Sequence, residues 1–74
     1  MLNEIKEIIV NYIPVEEDKI TEEATLRGDL AMSSLDIINL AVEIEETYGI
    51  ELPNEDLAGI VTIADLIKYI LIKK

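Results

Sequence analysis

The residues of this chain best placed to do chemistry are a serine pair, Ser33-Ser34. They lie inside the stretch Asp29-Leu30-Ala31-Met32-Ser33-Ser34-Leu35-Asp36-Ile37-Ile38-Asn39-Leu40. The apolar spacing after Ser34 is helical, so the pair falls at a helix start, after a loop and ahead of an acidic face. Unpaired backbone N–H groups at such a start, together with the helix dipole, favour a phosphate there. A serine phosphodiester in the first turn would meet partial positive charge that offsets the nearby carboxylates. The same position suits serines that only cap the helix, the commoner role, and on physical grounds alone the cap is favoured.

Little else in the chain is chemically equipped. There is no His and no Cys, which removes Ser–His and Cys–His nucleophile pairs, thiolate or imidazole zinc sites and disulfides. Glu45 and Glu46 are adjacent and cannot share a helix face, so a small hydrolase built on paired carboxylates is disfavoured. A chain of 74 residues also has little wall with which to enclose a reaction cleft. No catalytic residue and no metal site are assigned.

Sixteen acids against six bases give a net charge of −10. That disfavours nucleic acid and anionic membrane surfaces, both of which attract Lys and Arg. It favours basic partner surfaces, with an attraction that salt weakens. The charge is equally consistent with simple solubility. Met1-Leu2-Asn3-Glu4-Ile5-Lys6-Glu7 has acids where a signal peptide needs a basic start and an apolar run. The longest apolar stretch near the C-terminus, Tyr69 to Ile72, is far short of a span of about 20 residues. A cytoplasmic monomer is expected.

The elements that must position the serine pair are helical. A first amphipathic helix is expected from Leu2 to Ile13 on Leu2, Ile5, Ile8, Ile9, Tyr12 and Ile13, stopped by Pro14. A polar connection from Val15 to Met32 follows, pinned by Val15, Ile20, Leu26 and Leu30; its length is often functional. The second helix runs from about Ser34 to Tyr48, with Ser33 and Asp36 as a capping-box-like start and Gly49 as its stop. Pro53-Asn54-Glu55-Asp56 opens a short turn through Leu57 to about Ile60. Thr62, with Asp65, caps a last helix that buries Ile63, Leu66, Ile67, Ile70 and Leu71. The fold class is all-α: one domain, residues 1–74, of three main helices and one short one. Its core must be aliphatic, because the chain has no Phe or Trp and only three Tyr. Stability on the order of 4–11 kcal/mol is expected for this length.

The stretch around Ser34 resembles the phosphopantetheine attachment signature of acyl carrier proteins, in which Asp-Ser-Leu opens the second helix after Asp-Leu-Gly. Asp29-Leu30-Ala31 is similar to the approach, and Ser33-Ser34-Leu35-Asp36 to the attachment segment. The resemblance continues through Glu43-Ile44-Glu45-Glu46-Thr47-Tyr48-Gly49-Ile50-Glu51-Leu52-Pro53 and Ile60-Val61-Thr62-Ile63-Ala64-Asp65-Leu66. It departs from the signature where Ser33 replaces the usual Asp and Ala31 the usual Gly. Asn39 also falls where an acid is common.

The resemblance implies that Ser34 carries a 4'-phosphopantetheine arm, donated from coenzyme A by a phosphopantetheinyl transferase. The arm would hold thioester-linked acyl groups, in fatty-acid or related acyl-chain biosynthesis. Amino-acyl, D-alanyl or polyketide cargo, or an unmodified acidic adaptor of the same fold, are the alternatives. On the second helix Ser33, Asp36, Asn39, Glu43 and Glu46 recur at helical spacing as a polar stripe flanked by Glu45. In the family this face docks basic patches on acyl-loading and acyl-processing enzymes, with the equivalents of Leu35 and Val42 adding apolar contacts. The bland reading of the stripe is a solvated face. Ile5, Ile9, Ile38, Val42, Leu66, Ile67 and Ile70 are read as the core, either close-packed or able to open around a carried chain.

Overall fold

The computed structural model describes all residues, Met1–Lys74. It contains α1 (Leu2–Val10), a 3₁₀ turn (Glu17–Lys19), α2 (Ser34–Tyr48), α3 (Asn54–Leu57) and α4 (Ile63–Lys73). All sixteen buried residues are apolar.

α1 is shorter than its apolar spacing predicts. Pro14 disfavours helical geometry at Ile13, and the preceding turn tightens. Asn11 N–H donates to the Ile8 carbonyl and Tyr12 N–H to that of Ile9, three residues back in each case. Ile5, Ile9 and Ile13 still line up inward, whereas Tyr12 is exposed.

The long connection is packed, not loose. Ile20, Ala24, Leu26, Leu30 and Met32 are all buried, while Val15 is only partly so. Its backbone pairs with the approach to α4 around an antiparallel bridge between Thr25 and Thr62. Leu26 N–H donates to the Val61 carbonyl, and Ile63 and Ala64 N–H donate to Ala24 and Glu22. These bonds satisfy backbone groups that a buried connection would otherwise strand. The radius of gyration, 10.9 Å, is close to the roughly 11 Å of a compact domain this size.

Both ends of α2 form as the local residues dictate. Ser33 caps the start, and Gly49 closes the end at φ 66°, a left-handed conformation that glycine adopts without a Cβ penalty. α4 has its own capping box, formed by Thr62 and Asp65.

The expected core needs correction on α2 and α4. Ile38 and Val42 are 45% and 46% exposed; α2 instead buries Ile37, Leu40, Ala41 and Ile44. The helix is rotated by about one residue from the expected phase, because adjacent isoleucines at 37 and 38 allow either stripe. On α4 Leu71 is exposed and Ile67 only partly buried, while Ile63, Leu66 and Ile70 are fully inside.

Candidate functional site

The approach to Ser34 is held by backbone and side-chain bonds that leave the serine itself free. Thr25 N–H donates to Asp29 Oδ2 at 3.0 Å, and Asp29 N–H returns the bond to Thr25 Oγ1 at 2.9 Å. Gly28 sits inside this loop, where an added Cβ would come within 2.6 Å of Thr25 Oγ1. Leu30 and Met32 N–H then donate to the Thr25 and Leu26 carbonyls, and both side chains are buried. Between them Ala31 takes φ 52°. That is left-handed backbone, in which a Cβ is strained.

At the helix start the two serines have separate roles. Asp36 N–H donates to Ser33 Oγ at 3.2 Å, and Ser33 N–H donates to Asp36 Oδ2 at 3.0 Å. This reciprocal pair is a capping box. Ser33 is therefore the cap, and Ser34, the first residue of α2, is exposed with its Oγ outside that network.

Ser34 opens onto a cavity of about 300 Å³ between α2 and α3. Ile37 and Ile38 line it from α2, and Asn54, Leu57, Ala58 and Ile60 line it from α3 and the turn beyond. Arg27, the only arginine of the chain, completes the lining as its single base. The lining is thus mostly aliphatic, with Ser34, Arg27 and Asn54 as its polar members. Of these neighbours of Ser34 only Ile38 was picked out from the sequence, as part of a core able to open around a carried chain. Asn54–Ile60 was visible as a short helical turn, but nothing in its spacing pairs it with residue 34.

The expected docking residues lie on the outer side of α2. Leu35, Ile38 and Val42 form an exposed aliphatic row, with Leu35 66% exposed. Asn39 and Glu46 are also exposed, whereas Asp36 and Glu43 are half-buried. Asp36 is already engaged as the capping partner. Near Glu43 lies the exposed Tyr12, whose hydroxyl pKa is raised by partial desolvation first and then by the Glu43 carboxylate. Glu45 turns away from the others: its Oε2 accepts from Leu52 N–H at 2.8 Å and fixes the α2–α3 loop.

Comparison with known proteins places the chain in a family. Residues 3–70 match the phosphopantetheine attachment site family. Among solved structures, an acyl carrier protein from Enterococcus faecalis superposes with a TM-score of 0.82 at 27% identity, covering 99% of this chain and 92% of that one. With a helical bundle of the acyl carrier type and a family match over nearly its full length, the chain belongs to the phosphopantetheine attachment family and is a carrier protein.

Proposed function

We propose that Ser34 is the attachment point of the arm and that the chain carries acyl groups as thioesters. The observation that carries this reading is the division of labour at the start of α2. Ser33 takes the cap, which leaves an exposed Ser34 hydroxyl beside a largely aliphatic cavity. These residues fit a phosphopantetheine group: a primary hydroxyl to esterify, and one base and several aliphatic side chains lining the same cavity.

In the loading step the Ser34 hydroxyl forms a new O–P bond with the phosphorus of coenzyme A that bears the pantetheine. The pyrophosphate bond breaks, adenosine 3',5'-bisphosphate leaves, and the serine proton is released. Once attached, the arm supplies a thiol that holds an acyl group as a thioester. The chain's own contribution is positional: α2 presents the serine, and tethering raises the local concentration of cargo at an enzyme docked on the same helix.

The exposed row Leu35, Ile38 and Val42, beside Asp36, Asn39, Glu43 and Glu46, is the docking surface in this reading. Its partners are the transferase and acyl-processing enzymes with basic patches. Charge of this sign speeds encounter with such surfaces. Fatty-acid or related acyl-chain synthesis is the pathway class that an aliphatic cavity best suits. No helix is long and apolar enough to cross a membrane.

The test is mass spectrometry of apo protein incubated with a transferase and coenzyme A. One phosphopantetheine should be added, and Ser34→Ala should abolish the gain while Ser33→Ala preserves it. A chain that gains no mass with several transferases is an unmodified adaptor. A gain that survives Ser34→Ala moves the site elsewhere.

A further inference from the structure

One wall of the cavity beside Ser34 has few attachments of its own. α3 spans four residues, none of them buried, and its N-cap, Pro53, makes no side-chain cap. Helices shorter than about 12 residues are marginal without tertiary support. On the inner side Leu57 and Ile60 are partly buried against the core. On the outer side α3 is held by a tyrosine from α4. Tyr69 Oη lies 2.6 Å from Asp56 Oδ2 and 3.2 Å from the Glu51 carbonyl oxygen. A phenol has one proton to donate, and these two acceptors lie on the loop before α3 and on α3 itself. The hydrogen bond to Asp56, with burial adding to it, pushes the Tyr69 pKa up to about 12, so the donor keeps its proton across the neutral range. Lys73 Nζ stands 5.5 Å from the centre of the Tyr69 ring and adds a cation–π contact on the same helix.

We propose that Tyr69 is a positioning residue that latches α3 to α4 through Asp56, and so sets the depth of the cavity beside Ser34 and the length of acyl group it accepts. The cavity lies on one side of α3 and the latch on the other. Asp56 is held while its neighbours Leu57 and Ala58 line the cavity. With the hydroxyl removed, α3 keeps only the partial burial of Leu57 and Ile60 between the pinned ends at Leu52 and Val61. α3 then swings outward more often, and the cavity deepens. The cargo-length part of this inference rests on the carrier reading; the latch itself does not.

Amide hydrogen exchange on the full apo chain tests the latch directly. Ala58, Gly59 and Ile60 N–H donate to Asn54, Asp56 and Leu57 carbonyls at 3.1 Å each, so they report opening of this segment. Tyr69→Phe and Asp56→Ala should each speed exchange at these amides by about tenfold. Asp56→Asn, which keeps an acceptor, should restore part of the protection, and the double variant should add little to either single one. Exchange within α2 should stay the same. Unchanged rates at 58–60, or an equal acceleration throughout α2 and α4, overturn the latch.

The second arm uses protein loaded on Ser34 with butyryl-, hexanoyl- or octanoyl-phosphopantetheine from the corresponding coenzyme A esters. Melting temperature should be highest at a longer chain in Tyr69→Phe than in the unmutated protein. The same optimum in both overturns the assignment of cavity depth to Tyr69. If Ser34 accepts no arm at all, the carrier reading fails, and the exchange experiment still decides the latch.

Discussion

Ser33 and Asp36 cap one another across the first turn of α2: each backbone N–H donates to the other's side-chain oxygen. The pair occupies the acid that begins the proposed docking face, and it frees Ser34. Ser33→Ala should therefore cost about 1 kcal/mol, seen as a melting temperature lower by about 4–8 °C. Ser33→Asp should be nearly neutral, because Asp caps as well as Ser. If Ser33→Ala melts with the unmutated protein, the box adds nothing to stability.

Ala31 stands in left-handed backbone at φ 52°. A residue with a Cβ is strained there by roughly 1–2 kcal/mol, and glycine gives back about 0.5–1 kcal/mol through its looser unfolded chain. Ala31→Gly should thus stabilise the protein, by up to about 1.5 kcal/mol. Denaturant midpoints with an unchanged m-value would measure it. A loss of stability would mean that the turn relaxes without strain.

A buried anchor of the long connection and the exposed row of α2 give a sharper test of the packing. Ile20→Ala, at a fully buried anchor of the long connection, should cost about 2–5 kcal/mol. That is a large share of the roughly 4–11 kcal/mol expected for a chain this size. Ile38→Ala and Val42→Ala, on the exposed row, should each cost less than about 1 kcal/mol. Urea melts of the three variants would rank them, and a costly Val42→Ala would return that residue to the core.

What was legible in the sequence was what depends on near neighbours. Ser33-x-x-Asp36, Gly49 and Thr62-x-x-Asp65 mark helix ends through bonds that close within a few residues, and each formed as its spacing dictates. The buried anchors Ile20, Leu26 and Leu30 stood out because they interrupt a polar run. The phase of α2 was not legible, since Ile37 and Ile38 differ in nothing but position. Only packing into the common core chooses Ile37. The cavity was hidden for a related reason: Arg27, Ser34 and Asn54 are brought together only by the fold. The positive φ at Ala31 was signalled only by the Gly usual at that place in the signature, since alanine itself gives no sign of it.

The charge distribution predicts a response to salt. Against sixteen acids, the structure contains one ion pair, between the N-terminal ammonium and Glu4 at 3.8 Å. Screening therefore removes much repulsion and little attraction. Added sodium chloride should raise the melting temperature from its low-salt value. A melting temperature that is flat or falls with salt would mean that the acids do not strain the fold.

Acid should act on one capping residue in particular. The Asp65 carboxylate accepts backbone N–H bonds from Thr62 and Val61, both at 3.1 Å. Those bonds, Thr62 first, hold its pKa below the ordinary 3.8. Its folded pKa is thus lower than its unfolded one, so the unfolded chain takes up the proton more readily. The stabilisation is fully present above about 3.8 and is lost as pH falls through the folded value. Asp65→Asn should accordingly be less stable than the unmutated protein at neutral pH, and the gap should close as pH drops below that point. The same bonds secure the segment that pairs with the long connection, since Val61 also accepts from Leu26 N–H. Exchange at the Leu26 amide should therefore rise together with the loss of stability in Asp65→Asn. A gap that stays constant from neutral pH into acid would show that the Asp65 charge contributes nothing and only its shape matters.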